Sequence, residues 1–161
     1  MEEAIPQVRR LAVLNCTKLV CMADRSCGGC TMCCKVMAVP VIQKPIGEWC
    51  RFARIGKGCS CYDTRPDPCR VFRCLWLDSE MPEDLRPDKS KIVLTTEVGA
   101  AFVGDTVDTS RKVTYIIVYP DLATPDCWNR GPAGRFLTQL RREGDIIVVC
   151  GEKRTLLPKT G

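Results

Sequence analysis

The pattern of apolar and polar positions divides the chain in two. In the C-terminal half, three stretches rich in β-branched and aromatic residues read as strands: SKIVLTTEV (90–98), AAFVG (100–104) and KVTYIIVYP (112–120), with Gly99 and GDTVDTS as the turns between them. The spacing then becomes helical in GPAGRFLTQLRREG. Pro132 lies near its start, Phe136, Leu137 and Leu140 share one face, Arg141 and Arg142 fill the last turn and Gly144 ends it. DIIVVCGEKRTLLP closes as a hairpin around GEK, so this half is expected to run β-β-β-α-β-β.

The N-terminal half is more broken. Residues 5–22 are apolar with scattered charges, and periodicity does not decide between helix and strand there. CGGCTMCCKVMA predicts a turn running into a short helix over 27–37. VPVIQKPIGEW, punctuated by Pro40 and Pro45, predicts an extended connection, and GKGCSCYDTRPDPC a loop. A helix is expected from Pro68 to about Leu77, with Asp67 as N-cap and Cys69, Phe72 and Trp76 on one face. The expected class is α+β in a single domain over 1–161. A cysteine-rich half with short helices (27–77) joins a β-rich half (90–158) built on a small mixed or antiparallel sheet with one helix.

Composition adds the chemistry. The chain has 161 residues, 45% of them hydrophobic, enough to bury an ordinary core without covalent staples. It also has 13 cysteines and no histidine. An odd number cannot pair fully within one chain, and disulfides belong mainly to oxidising compartments. MEEAIPQVRR followed by LAVLNCTKLVCMA makes a poor signal-peptide core, and no apolar run approaches the roughly 20 residues needed to span a bilayer. The expectation is a cytoplasmic protein with no membrane partner, whose clustered thiols bind metal or do redox chemistry.

The distribution of charge supports the first of these. Residues 27–74 carry eight basic and three acidic side chains, and so hold a net charge equal to the +5 of the whole chain. Four thiolates around a divalent ion leave a formal charge of about −2, which neighbouring Arg and Lys offset. Basic surfaces also bind nucleic acid, but the segment has no recognisable nucleic-acid motif and its basic residues alternate with the thiols, so that partner is not expected.

Cys27 and Cys30 form a C-x-x-C turn, which places two sulfurs within reach of one ion; Cys33 repeats the spacing, as iron–sulfur proteins also do. Cys34, adjacent to Cys33, is expected to point elsewhere. A second cysteine group, GCSCYDTRPDPCRVFRC, makes coincidence remote. Cys127 and Cys150, far from both groups, read as ordinary packed or surface thiols.

These two groups resemble the YkgJ-like cysteine-cluster proteins, described as zinc- or iron-chelating domains. Their signature is C-x-x-C-x-x-C-C, a lone cysteine, then G-C-x-I-Y-x-x-R-P-x-x-C-R-x-F-x-C. CGGCTMCC supplies Cys27, Cys30, Cys33 and Cys34; EWC supplies Cys50; the last stretch supplies Cys59, Tyr62, Arg65, Pro66, Cys69, Arg70, Phe72 and Cys74. The likeness covers about positions 27–77. Cys61 stands where the pattern has an aliphatic residue, and is taken as a packing substitute.

The resemblance implies metal binding through eight ligands (Cys27, Cys30, Cys33, Cys34, Cys50, Cys59, Cys69 and Cys74) and no particular reaction. Two four-sulfur zinc sites, one 4Fe-4S cluster with supporting thiols, or a shared two-metal cluster all satisfy that count. An iron–sulfur domain of flagellin lysine methylases looks similar too. Tyr62 and Phe72 are expected to shield the sulfurs, and Arg65 and Arg70 to donate to them or to the ligand loops; alternatively Arg65 simply braces a turn. The absence of histidine excludes Cys/His zinc geometries.

The competing function is an iron–sulfur or dithiol oxidoreductase or electron carrier. An enzyme is not favoured: the β-rich half has no nucleophile–His pair, phosphate loop or dinucleotide fingerprint.

Overall fold

The computed structural model describes residues 25–103 and 106–161. The fold is α+β, with a few short helices, a two-stranded antiparallel sheet and a mixed four-stranded sheet. The apolar segment 5–22, with Cys16 and Cys21, lies outside the described residues.

The cysteine-rich half is a string of one-turn elements. Helix α1 (Cys33–Val36) follows the C-x-x-C turn, a 3-10 turn spans Pro40–Ile42, and strands β1 (Ala53–Arg54) and β2 (Gly58–Cys59) form a small hairpin. Helices α2 (Asp67–Val71), α3 (Leu75–Asp78) and α4 (Pro87–Ser90) follow. The single helix expected from Pro68 to Leu77 is therefore two helices. Its N-cap is Pro66 instead of Asp67, and residues 72–74 between the pieces are extended, with ψ 126° at Phe72 and 156° at Cys74. The break has a geometric reason. Cys69 and Cys74 are five residues apart, so on one continuous helix their side chains would diverge by about 140° and could not face one space.

The β-rich half holds strands β3 (Ile92–Val103), β4 (Thr106–Pro120), β5 (Ile146–Cys150) and β6 (Lys153–Leu157) in that spatial order. The β4–β5 pair is parallel, the other two antiparallel, and α5 (Gly131–Leu140) lies in the crossover between β4 and β5. The expected β-β-β-α-β-β order becomes β-β-α-β-β, because Gly99 is no turn. It sits inside β3 opposite Val113, where a Cβ would stand 3.2 Å from the Tyr115 ring, whose hydroxyl donates to Ala100 O at 2.7 Å. The glycine makes room for an aromatic side chain on the neighbouring strand.

The GDTVDTS turn signal is mostly absorbed into β4. The pairing jumps from Ala100 with Lys112 to Ala101 with Asp108, which leaves residues 109–111 as a bulge. Asp108 accepts there from Ser110 N at 3.0 Å.

One core spans both halves. Ile92, Leu94, Ile116, Val118, Ile146 and Val148 from the sheet meet Ala133, Phe136, Leu137 and Leu140 of α5, spaced i, i+3, i+4, i+7. Met32, Val36, Cys74, Trp76 and Leu77 from the cysteine-rich half belong to the same cluster. A smaller cluster of Tyr115, Ile117 and Val149 occupies alternate strand positions. No helix among the described residues is long and apolar enough to cross a membrane.

Candidate functional site

The C-x-x-C turn is closed by Cys30 N donating to Cys27 O at 2.8 Å, with Gly28 at φ +50°. It presses on the β1–β2 turn. A Cβ on Gly29 would stand 2.4 Å from Gly56 O, so only glycine permits this approach. Arg86 fixes the turn from the other side, donating from Nη2 to Cys27 O at 3.3 Å.

Helix α1 then delivers Cys33 and Cys34. Its C-terminal carbonyls are capped by the buried Lys44, whose ammonium donates to Lys35 O at 2.6 Å and to Met37 O. The chain returns from Lys44 to place Cys50, whose N–H donates to Cys34 O at 2.9 Å. The β1–β2 hairpin pairs Ala53 with Cys59 and so brings Cys59 beside the Cys50 segment. Cys59 and Cys61 hold their sulfurs 3.6 Å apart. Cys69 rides on α2, and Cys74 stands at the N-terminus of α3.

These separate stretches converge on one cavity of about 610 Å³. Its wall contains all eight cysteines named from the sequence (Cys27, Cys30, Cys33, Cys34, Cys50, Cys59, Cys69 and Cys74), and also Cys61. Cys127 and Cys150 are not in it; Cys127 packs at the edge of the core with its sulfur 3.3 Å from Lys91 O. All eleven described cysteines are free thiols.

Among the described residues, no three cysteine, aspartate or glutamate side chains are gathered tightly enough to hold an ion as they stand. The chemistry of the donor set nevertheless suits a thiophilic metal. The wall offers nine thiols, the thioether of Met37 and no imidazole or carboxylate.

The thiols differ in their surroundings. Burial, then Cys30, pushes the Cys27 thiol up, with Arg65 and Arg73 opposing. Burial likewise raises Cys74, with Cys27 and Cys30 adding to it, and raises Cys69, with Cys34, Cys50 and Cys59 adding. Cys33 donates to the Cys34 sulfur; this holds the Cys33 proton firmly and brings Cys34 down to about 7, with Lys44 and Arg65 helping. Both adjacent cysteines line the cavity, where sequence reasoning had Cys34 pointing elsewhere.

The four supporting residues separate. Tyr62, Arg65 and Phe72 line the cavity. Arg65 stacks on the Tyr62 ring at 3.6 Å, and its Nε donates to Tyr62 O at 2.9 Å, so one side chain both braces the turn and brings positive charge to the thiols. Tyr62 is 55% exposed and sits at the rim. Arg70 lies outside the cavity, 4.0 Å from Asp67 on the exposed side of α2.

Three participants escaped the sequence reading. Lys44 and Arg73 are cations near thiols, and Cys61 is part of the wall. A lone lysine between two prolines in an apolar connection was a signal for the first, and the C-x-C spacing for the last.

No protein-family model, curated protein or solved structure matches this chain.

Proposed function

We propose that the chain is a metal-binding cysteine-cluster protein of the YkgJ-like type, which holds zinc or iron in an all-sulfur environment within this cavity. One observation carries the reading: eight cysteines from five stretches of sequence, picked out by the family resemblance, line a single space, while the two described cysteines outside the motif do not. Cys27, Cys30, Cys33, Cys34, Cys50, Cys59, Cys69 and Cys74 would hold the metal. Zinc would lock the one-turn elements together, whereas an iron–sulfur cluster would add electron transfer. Lys44, Arg65 and Arg73 supply the positive charge that a thiolate centre requires, and Tyr62 and Phe72 cover part of the approach. The free thiols fit a reducing, cytoplasmic setting. The reading includes no catalytic step.

Elemental analysis of the full chain purified without oxygen tests it. Zinc or iron at about one to two equivalents per chain is expected, and colour separates a cluster from zinc. Cys30→Ser, Cys34→Ser and Cys69→Ser should each lower the metal content; Cys127→Ser and Cys150→Ser should not. A folded, metal-free protein with its cysteines in defined disulfides would overturn the reading.

A further inference from the structure

Nine thiols around one cavity do not form one undivided set. Cys74 belongs to the main core, and Cys27, Cys30 and Cys33 pack against that core. Cys34, Cys50, Cys59, Cys61 and Cys69 do not. The backbone divides them in the same way. Cys27 and Cys30 close one turn, whereas Cys50 is hydrogen-bonded to Cys34 and the β1–β2 pairing draws in Cys59, whose sulfur is 3.6 Å from Cys61. Cys33 and Cys34, adjacent in the chain, join the two groups.

We propose that the cavity is built as two adjacent soft-metal centres, an inner one formed by Cys27, Cys30, Cys33 and Cys74 and a rim one formed by Cys34, Cys50, Cys69 and either Cys59 or Cys61. The proposal rests on the metal-binding reading above. Each centre has the four sulfurs that a closed tetrahedral site uses. The adjacent Cys33 and Cys34 serve one centre each, which explains why a C-C pair is useful where a ninth thiol already exists. Cys61 thereby changes from a packing substitute to an alternate ligand. The rim has five thiols for four positions, and the two nearest each other are the interchangeable ones.

The test is titration of the reduced, metal-free full chain with Co²⁺ alone, following thiolate-to-metal absorption and bound metal per chain. Two equivalents are expected for the native sequence. Cys69→Ser should retain one, bound by the inner set, and Cys74→Ser should retain one, bound by the rim set. Cys59→Ser and Cys61→Ser should each retain two, and the Cys59→Ser/Cys61→Ser double variant one. Circular dichroism of each variant separates ligand loss from unfolding, and because the prediction is reciprocal, an inner variant that fails to fold leaves the rim series decisive. No binding by the native chain would sink the metal reading itself. Binding in which Cys69→Ser loses all metal while still folded, or in which the native chain saturates at one equivalent, would overturn the division and leave the metal reading standing.

Discussion

The Lys35 ammonium lies 2.7 and 2.8 Å from the two carboxylate oxygens of Asp121, with the side chains only 16% and 9% exposed. This pair ties α1, which carries Cys33 and Cys34, to the residue that follows β4. Asp121 also accepts from Ala123 N at 3.0 Å, so its carboxylate is placed by the loop as well as by the lysine. Replacing one member leaves the other charge poorly solvated. Asp121→Ala should cost about 3 kcal/mol in denaturant unfolding, and Lys35→Met/Asp121→Leu less than Asp121→Ala alone. Costs of Lys35→Met and Asp121→Leu that add up to the cost of the double variant would mean that the pair contributes no coupling.

Gly29 sets the contact between the C-x-x-C turn and the β1–β2 turn. Gly29→Ala forces a Cβ against the Gly56 carbonyl and should destabilise the chain by about 2 kcal/mol, with loss of bound metal. Gly144→Ala, where the added carbon meets open space, is the control and should stay within about 0.5 kcal/mol of the native chain. Thermal unfolding of the two variants side by side decides.

Removal of metal by a strong chelator under reducing conditions should loosen the chain unevenly. Residues 27–77 consist of one-turn helices and two-residue strands, and their amides should lose at least about tenfold in protection against exchange. Tyr115, Ile117 and Val149 sit in a cluster without cysteines and should keep theirs. Ile92–Leu94 packs against Trp76 and Leu77 in the shared core and should fall between. Uniform loss across all three groups would show that metal and sheet unfold as one unit.

Tyr119, which is not part of the cavity wall, offers a pH-dependent test. Burial, then the negative charge of Glu97, pushes its hydroxyl up to about 12, while the hydroxyl donates to Glu97 Oε1 at 3.1 Å. A folded value above the ordinary tyrosine value of about 10 means that the unfolded chain loses this proton first. The stabilising contribution is therefore complete below about pH 10 and disappears as pH rises towards 12. Absorbance titration at the phenolate band should show a late-titrating component that is lost in Tyr119→Phe and moves to lower pH in Glu97→Gln. A native chain whose phenols all titrate near 10 would contradict the placement.

What the sequence revealed depended on the range of the interactions involved. The α5 face, with Ala133, Phe136, Leu137 and Leu140 buried, and the β5–β6 hairpin were legible because their signals lie within a few consecutive residues. Gly99 was misread because its reason is Tyr115, sixteen positions away on another strand. The helix over 68–77 was misread because local propensity gave way to the need for Cys69 and Cys74 to reach one cavity. Cys27, Cys30 and Cys33 were legible from spacing, and the other five from the family resemblance. Their companions were less so: Arg65 lies at the wall but Arg70 faces Asp67, and Lys44 reaches the thiols only through the return of the chain after the Pro40–Ile42 turn.

The three extended residues between α2 and α3 act as a ruler. In extended form they advance the chain about 10 Å, where three helical residues advance about 4.5 Å. Removing one of them would shorten the reach between Cys69 and Cys74 by about 3 Å, longer than a zinc–sulfur bond of about 2.3 Å, and would draw one of the two thiols away from its place in the cavity wall. Sequence change in this link is consequently constrained in length as well as in identity: replacing Arg73 gives up its 2.6 Å contact with Asp78 and a positive charge near the Cys27 thiol, and changing the number of residues alters the reach between the two thiols.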